Sequence, residues 1–153
     1  MDDLLQRALV NVRVTAELSG GVTIYARTHQ LGIGKGWSFD IAEGQITGAE
    51  TMLGVLASDI LGIFVRLARE RRLPVDEVEA RLTAQLAAPL ALLGVVGASG
   101  EPYYERVHMR AYVGSGVSPD RIREVWDEAL KRAPFYNTLR RGTEVEIIMQ
   151  ISA

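Results

Sequence analysis

From Thr47 to Arg72 the apolar residues fall at helical spacing, with Leu53, Leu56, Ala57, Ile60, Leu61, Phe64 and Leu67 along one stripe. The other side is not wholly polar: Met52, Val55 and Ile63 sit well round from the stripe, and the charges gather after Val65. A helix apolar on two sides is expected in the middle of a protein or at a subunit interface. Pro74 ends it. The rest of the chain has to build layers that cover such a helix.

Those layers read as strands. Val10, Val12, Val14, Ala16 and Leu18 alternate with polar residues, Ser19-Gly20-Gly21 supplies a tight turn, and Val22, Ile24 and Ala26 resume the alternation, which predicts a hairpin. A Gly-interrupted stretch from Gln30 to Ile41 extends the sheet as an edge, with Ile33, Trp37, Phe39 and Ile41 facing the core. After the long helix, strand periodicity runs from Val75 to Leu86. A Gly-rich loop follows from Ala91 to Gly100. In the next strand, Glu105 to Val113, the residues Val107, Met109, Ala111 and Val113 face inward. Ser118-Pro119-Asp120 marks a helix start with a hydroxyl N-cap and proline at the first helical position; Ile122, Val125, Trp126, Ala129, Leu130 and Ala133 follow at helical spacing. Pro134 stops that helix, and Val145, Ile147, Met149 and Ile151 form a last strand. The order βββ-α-ββ-α-β argues for an α+β fold in a single domain spanning residues 1–153.

Composition narrows the function classes. The chain of 153 residues has 17 basic and 19 acidic side chains spread along it, and the net charge of −2 leaves no electrostatic footprint for nucleic acid. No apolar run is read as spanning a membrane, and the start Met1-Asp2-Asp3-Leu4-Leu5 lacks a basic, apolar leader; the expected location is the cytoplasm. The chain contains no cysteine, which removes disulfides, thiolate metal sites and thiol redox chemistry together. His29 and His108, the only histidines, lie on different elements without ligand spacing, so neither a metal nor any other cofactor is expected. Gly32-Ile33-Gly34-Lys35-Gly36 lacks the spacing and following helix of a phosphate-binding loop and reads as a turn.

Three stretches carry a family resemblance. Gly48 to Asp59 is similar to the helix start "G-x-x-P-x-E-L-L-L-A-A-L-A-S-C" of the OsmC/Ohr family, the osmotically inducible and organic hydroperoxide resistance proteins, with Glu50 on the glutamate and Asp59 on the cysteine. Leu92-Leu93-Gly94 through Tyr103-Tyr104 is similar to a "G-x-L-G … G-[FY]" connection. Ala133-Pro134-Phe135-Tyr136-Asn137-Thr138-Leu139-Arg140 resembles "C-P-V-S-x-T-L-x", with Ala133 on the second cysteine, and is the most specific of the three. The resemblance implies an OsmC-like fold, an intertwined homodimer with a long buried central helix, and sites at the subunit interface. It also implies a peroxidase in which one thiolate attacks the O–O bond and a second resolves the sulfenic acid. Both thiols are missing here. Val22 and Ala49 stand where the peroxidase branch carries an arginine and an acid, and a carboxylate at position 59 has no reversible sulfenate chemistry.

Asp59 is therefore the leading site candidate, mid-helix on the face of Met52, Val55 and Ile63. It is either a pocket acid, base or ligand anchor, or a carboxylate satisfied by neighbours and left from a lost site. Glu50, a weaker candidate, complements the helix dipole, and nine helical residues place it about 13 Å from Asp59, too far for a carboxylate pair. Arg27 and Arg13 are candidate partners of Asp59, each more ordinarily a solvated strand residue. Met52, Ile63, Tyr103, Tyr104, Phe135 and Ala133 are candidate walls of a ligand cavity. Three functions follow: a cysteine-free homodimer binding a small hydrophobic ligand at its interface, an enzyme using Asp59 as general acid or base, or a structural protein without pocket chemistry.

Overall fold

The computed structural model describes residues 7–34, 36 and 44–152. The chain divides into two compact units, Met1–Thr51 and Met52–Ala153.

In the first unit β1 (Arg13–Ala16), β2 (Val22–Ala26) and β3 (His29–Ile33) form an antiparallel sheet in that order. The turn between β1 and β2 uses Gly20 at φ 105°, a conformation that glycine adopts without steric cost, and closes with the Glu17 amide donating to the Gly21 carbonyl at 2.8 Å. Across the strands Val14 faces Ile24 and Ile24 faces Leu31, so one side of the sheet is apolar as the alternation predicts. On the other side the Arg13 guanidinium lies 4.1 Å from the centre of the Tyr25 ring, a cross-strand cation–π pair. The first strand is shorter than the Val10 to Leu18 run, and its apolar side is not buried: Val14 is 52% and Leu31 54% exposed. Alternation fixes which residues share a face, not what covers it. The third strand ends at Ile33, which is buried as expected, while Trp37, Phe39 and Ile41 lie outside the described residues. Within the glycine run, Gly34 has a packing explanation. A Cβ on Gly34 would come 2.7 Å from the Gln45 carbonyl oxygen, and the Gly34 amide donates to the Ile46 carbonyl.

The helix α1 (Gly48–Glu70) begins at the end of this unit and continues into the second. It is long and apolar enough by length and composition to cross a membrane, which corrects the expectation that no apolar run is. Its packing is that of a core helix: Leu56, Ile60, Phe64, Leu67 and Ala68 are buried in the hydrophobic cluster of the second unit.

That unit continues with β4 (Glu77–Ala87), α2 (Pro89–Leu92), β5 (Tyr103–Gly114), α3 (Pro119–Arg132), α4 (Pro134–Leu139) and β6 (Glu144–Ser152). The sheet order is β4-β5-β6, antiparallel between β4 and β5 and parallel between β5 and β6. A parallel pair needs a crossover, and α3 with α4 provides it. Val107, Met109, Ala111 and Val113 of β5 are fully buried, with Val78, Ala80, Leu82 and Ala84 of β4 and Val145, Ile147, Met149 and Ile151 of β6 packed around them. The Phe64 ring meets Trp126 of α3 edge-on, centroids 5.4 Å apart at 69°. Two short helices were not expected. Pro89 opens α2, whose last two residues fall in the expected Ala91 to Gly100 loop, and Pro134, expected only to stop α3, is also the first residue of α4. Ser118 is the N-cap residue of α3, but its hydroxyl makes no capping bond; its carbonyl accepts from the amides of Arg121 and Ile122 instead.

Candidate functional site

The most connected of the predicted residues is Asp59. It is half-buried in the middle of α1, and its Oδ2 accepts hydrogen bonds from the backbone amides of Phe135 at 2.9 Å and Tyr136 at 3.4 Å. These are the second and third residues of α4, whose amides have no partner within their own helix. An N-cap side chain normally supplies one. The N-cap residue here is Ala133, fully buried and without any polar side-chain atom, so a carboxylate on a different helix does the capping. Three candidates thus meet in one arrangement, Asp59, Ala133 and Phe135. It ties the middle of α1 to the start of α4.

The other candidates stand apart from it. Glu50 is exposed in the first turn of α1 and closes a reciprocal capping box with Thr47: the Thr47 amide donates to Glu50 Oε1 at 3.0 Å, and the Glu50 amide donates to Thr47 Oγ1 at 3.2 Å. The hydrogen bonds from Thr47, led by its backbone amide, hold the Glu50 carboxyl below its ordinary pKa. The T-x-x-E spacing was readable in the sequence and gives Glu50 a structural task. Arg27 is an exposed residue at φ 57° on the turn between β2 and β3. With Asn11, Val12, Arg13 and Tyr25 it lines an open hollow of about 390 Å³ within the first unit. Arg13, stacked on Tyr25, is engaged there too.

Met52 and Ile63 are half-buried on α1, and Ile63 packs on the core cluster together with Phe135. Tyr103 is exposed at the start of β5. Tyr104 is half-buried, and its carbonyl accepts from the Thr143 hydroxyl at 2.9 Å. Gly54, Ser58 and Gly62 form an exposed small-residue line on α1, and a Cβ added at Gly54 or Gly62 would meet open space. Among the described residues no group of three or more His, Asp or Glu side chains is gathered for a metal ion.

Chemically, the Asp59 cluster is an acceptor already in use. An acid or base at Oδ2 has to give up capping bonds to act. Helix α4, missed from the sequence, is what makes this visible; its signal was Pro134, one residue after Ala133.

A family profile described as OsmC-like protein matches residues 43–148. The chain belongs to the OsmC-like family. Solved structures of similar fold include an OsmC-like protein from Mycoplasma pneumoniae, 14% identical over 95% of this chain and 99% of that one, with a TM-score of 0.77. A hypothetical protein from Aquifex aeolicus is 10% identical over 95% and 98%, with a TM-score of 0.75. The organic hydroperoxide resistance protein OhrB of Bacillus subtilis is 14% identical over 94% and 100%, with a TM-score of 0.64. A sequence comparison with curated proteins finds no match. This is therefore an OsmC-like α+β chain without cysteine, and both Asp59 and Ala133 lie within the segment that the profile matches.

Proposed function

We propose that this OsmC-like chain works as a cytoplasmic homodimer that binds a small hydrophobic ligand at a pocket between its two copies, with no thiol peroxidase activity. The carrying observation is the hydrogen bonding of Asp59 Oδ2 to the amides of Phe135 and Tyr136. A carboxylate that caps a helix stabilises the wall of a site rather than exchanging protons in it, which favours binding over general acid–base catalysis. Uncovered apolar surface supports the dimer: Val55 and Val65 are exposed on α1, as are Val14 and Leu31 on the first sheet.

Two measurements test the reading. Light scattering on the purified protein is expected to give twice the 16.8 kDa chain mass; a monomer at all concentrations overturns the dimer. A thermal-shift screen of small apolar compounds is expected to find one that raises the melting temperature of the wild type more than that of Asp59→Ala. The binding reading fails if no such compound stabilises the wild type. Turnover of an organic hydroperoxide with a dithiol reductant contradicts the lost peroxidase.

A further inference from the structure

Between α3 and α4 runs an open groove of about 670 Å³, within the range of small-ligand sites. Lys131 lines it from the last turn of α3, and Arg140 and Arg141 from the segment that follows α4; Asp127 is its only acid. The groove thus carries three cations against one anion in a chain whose net charge is −2. Among the described residues Lys131, Arg140 and Arg141 are in no ion pair, a state they share with Arg69, Arg72, Arg110 and Arg121 of this unit; what sets the three apart is that they line one groove. Cations at helix C-termini complement the dipole, but that effect does not require them to converge on one hollow.

The rest of the lining adds shape. Arg140 lies 5.6 Å from the centre of the Tyr136 ring, which orients its guanidinium, and Leu130 gives the groove an apolar patch. The Asn137 side-chain amide donates to the Lys131 carbonyl at 3.0 Å and links the two walls. Two guanidinium forks and an ammonium group suit an oxyanion of more than one charge, because each fork offers paired donors at the spacing of phosphate oxygens.

We propose that this groove binds a small phosphate-bearing ligand, its oxyanion held by Lys131, Arg140 and Arg141 and its carbon part resting against Leu130 and Tyr136. The site lies within one unit of one chain and needs no second copy; it shares Tyr136 with the Asp59 arrangement, but its cations are not part of that arrangement.

The test is titration of the full chain with inorganic phosphate, pyrophosphate and phenyl phosphate, followed by calorimetry and by the arginine Nε–H signals in NMR. Sodium chloride at matched ionic strength is the control. Expected are saturable binding of one ligand per chain, shifts at Arg140 and Arg141, and tighter binding of phenyl phosphate than of inorganic phosphate. Affinity is expected to fall at least tenfold in Arg140→Ala/Arg141→Ala and to stay unchanged in Arg13→Ala/Arg27→Ala. The three groove cations are solvent-facing, so the double variant is expected to melt like the wild type. Non-saturating shifts matched by sodium chloride overturn the proposal, as does binding that survives in Arg140→Ala/Arg141→Ala.

Discussion

The two three-stranded sheets differ in one respect that matters more than their strand count. In the C-terminal sheet the inward residues of β5 are fully buried, and α1 and α3 supply the layer over them. In the N-terminal sheet an equally regular alternation leaves Val14 and Leu31 more than half exposed. The same periodicity has therefore produced a finished core in one place and an uncovered face in the other. Patterning decides the face, and only a packed partner layer turns it into stability.

The largest effect that sharpens this contrast belongs to Phe64. Replacing it by alanine opens a cavity against Trp126, and a loss of about 3–5 kcal/mol is expected in urea unfolding. Next is Asp59→Ala, which leaves two amides of α4 without their acceptor and is expected to cost about 1–2 kcal/mol; Asp59→Asn keeps an oxygen acceptor and is expected to cost less. A stability equal to wild type in Asp59→Ala removes the carboxylate from the account of the fold.

Glu50 gives a smaller, pH-dependent effect. Its folded pKa lies below the unfolded value, so its contribution is complete above the ordinary carboxylate range and is lost as the pH falls through the folded pKa. Glu50→Gln is expected to flatten the acid limb of the stability curve and leave its slope at neutral pH unchanged. The smallest effect is expected at Val14. In dilute protein Val14→Thr should shift stability by less than about 0.5 kcal/mol, because the side chain is already in water. If a second copy covers this face, the penalty grows with protein concentration, and melting curves over a hundredfold dilution read the difference.

Much of the C-terminal unit was legible because its residues obey one period at a time. Val107, Met109, Ala111 and Val113 of β5 and Leu56, Ile60, Phe64 and Leu67 of α1 are buried as their spacing predicts, while Leu53, Ala57 and Leu61 of the same helical stripe are half-buried. The short helices were not legible, since four or six residues carry no period, and the prolines that open them read equally well as stops. The capping box at Thr47 and Glu50 was not read, Glu50 being assigned only to the helix dipole, although T-x-x-E is its motif. The partners of Asp59 were not legible, because they are backbone amides 76 and 77 positions away, and a backbone amide has no signature in sequence. What the sequence did single out was Asp59 and Ala133, and the structure brings the two together at the start of α4.

The central claim is that Asp59 is committed to the start of α4, and amide hydrogen exchange at Phe135 and Tyr136 tests it most directly. In wild type both amides are expected to be protected, and in Asp59→Ala both are expected to exchange at least tenfold faster, while the buried strand at Val107 to Val113 keeps its protection. Unchanged protection of Phe135 and Tyr136 in Asp59→Ala would contradict the account and return Asp59 to the list of free pocket carboxylates.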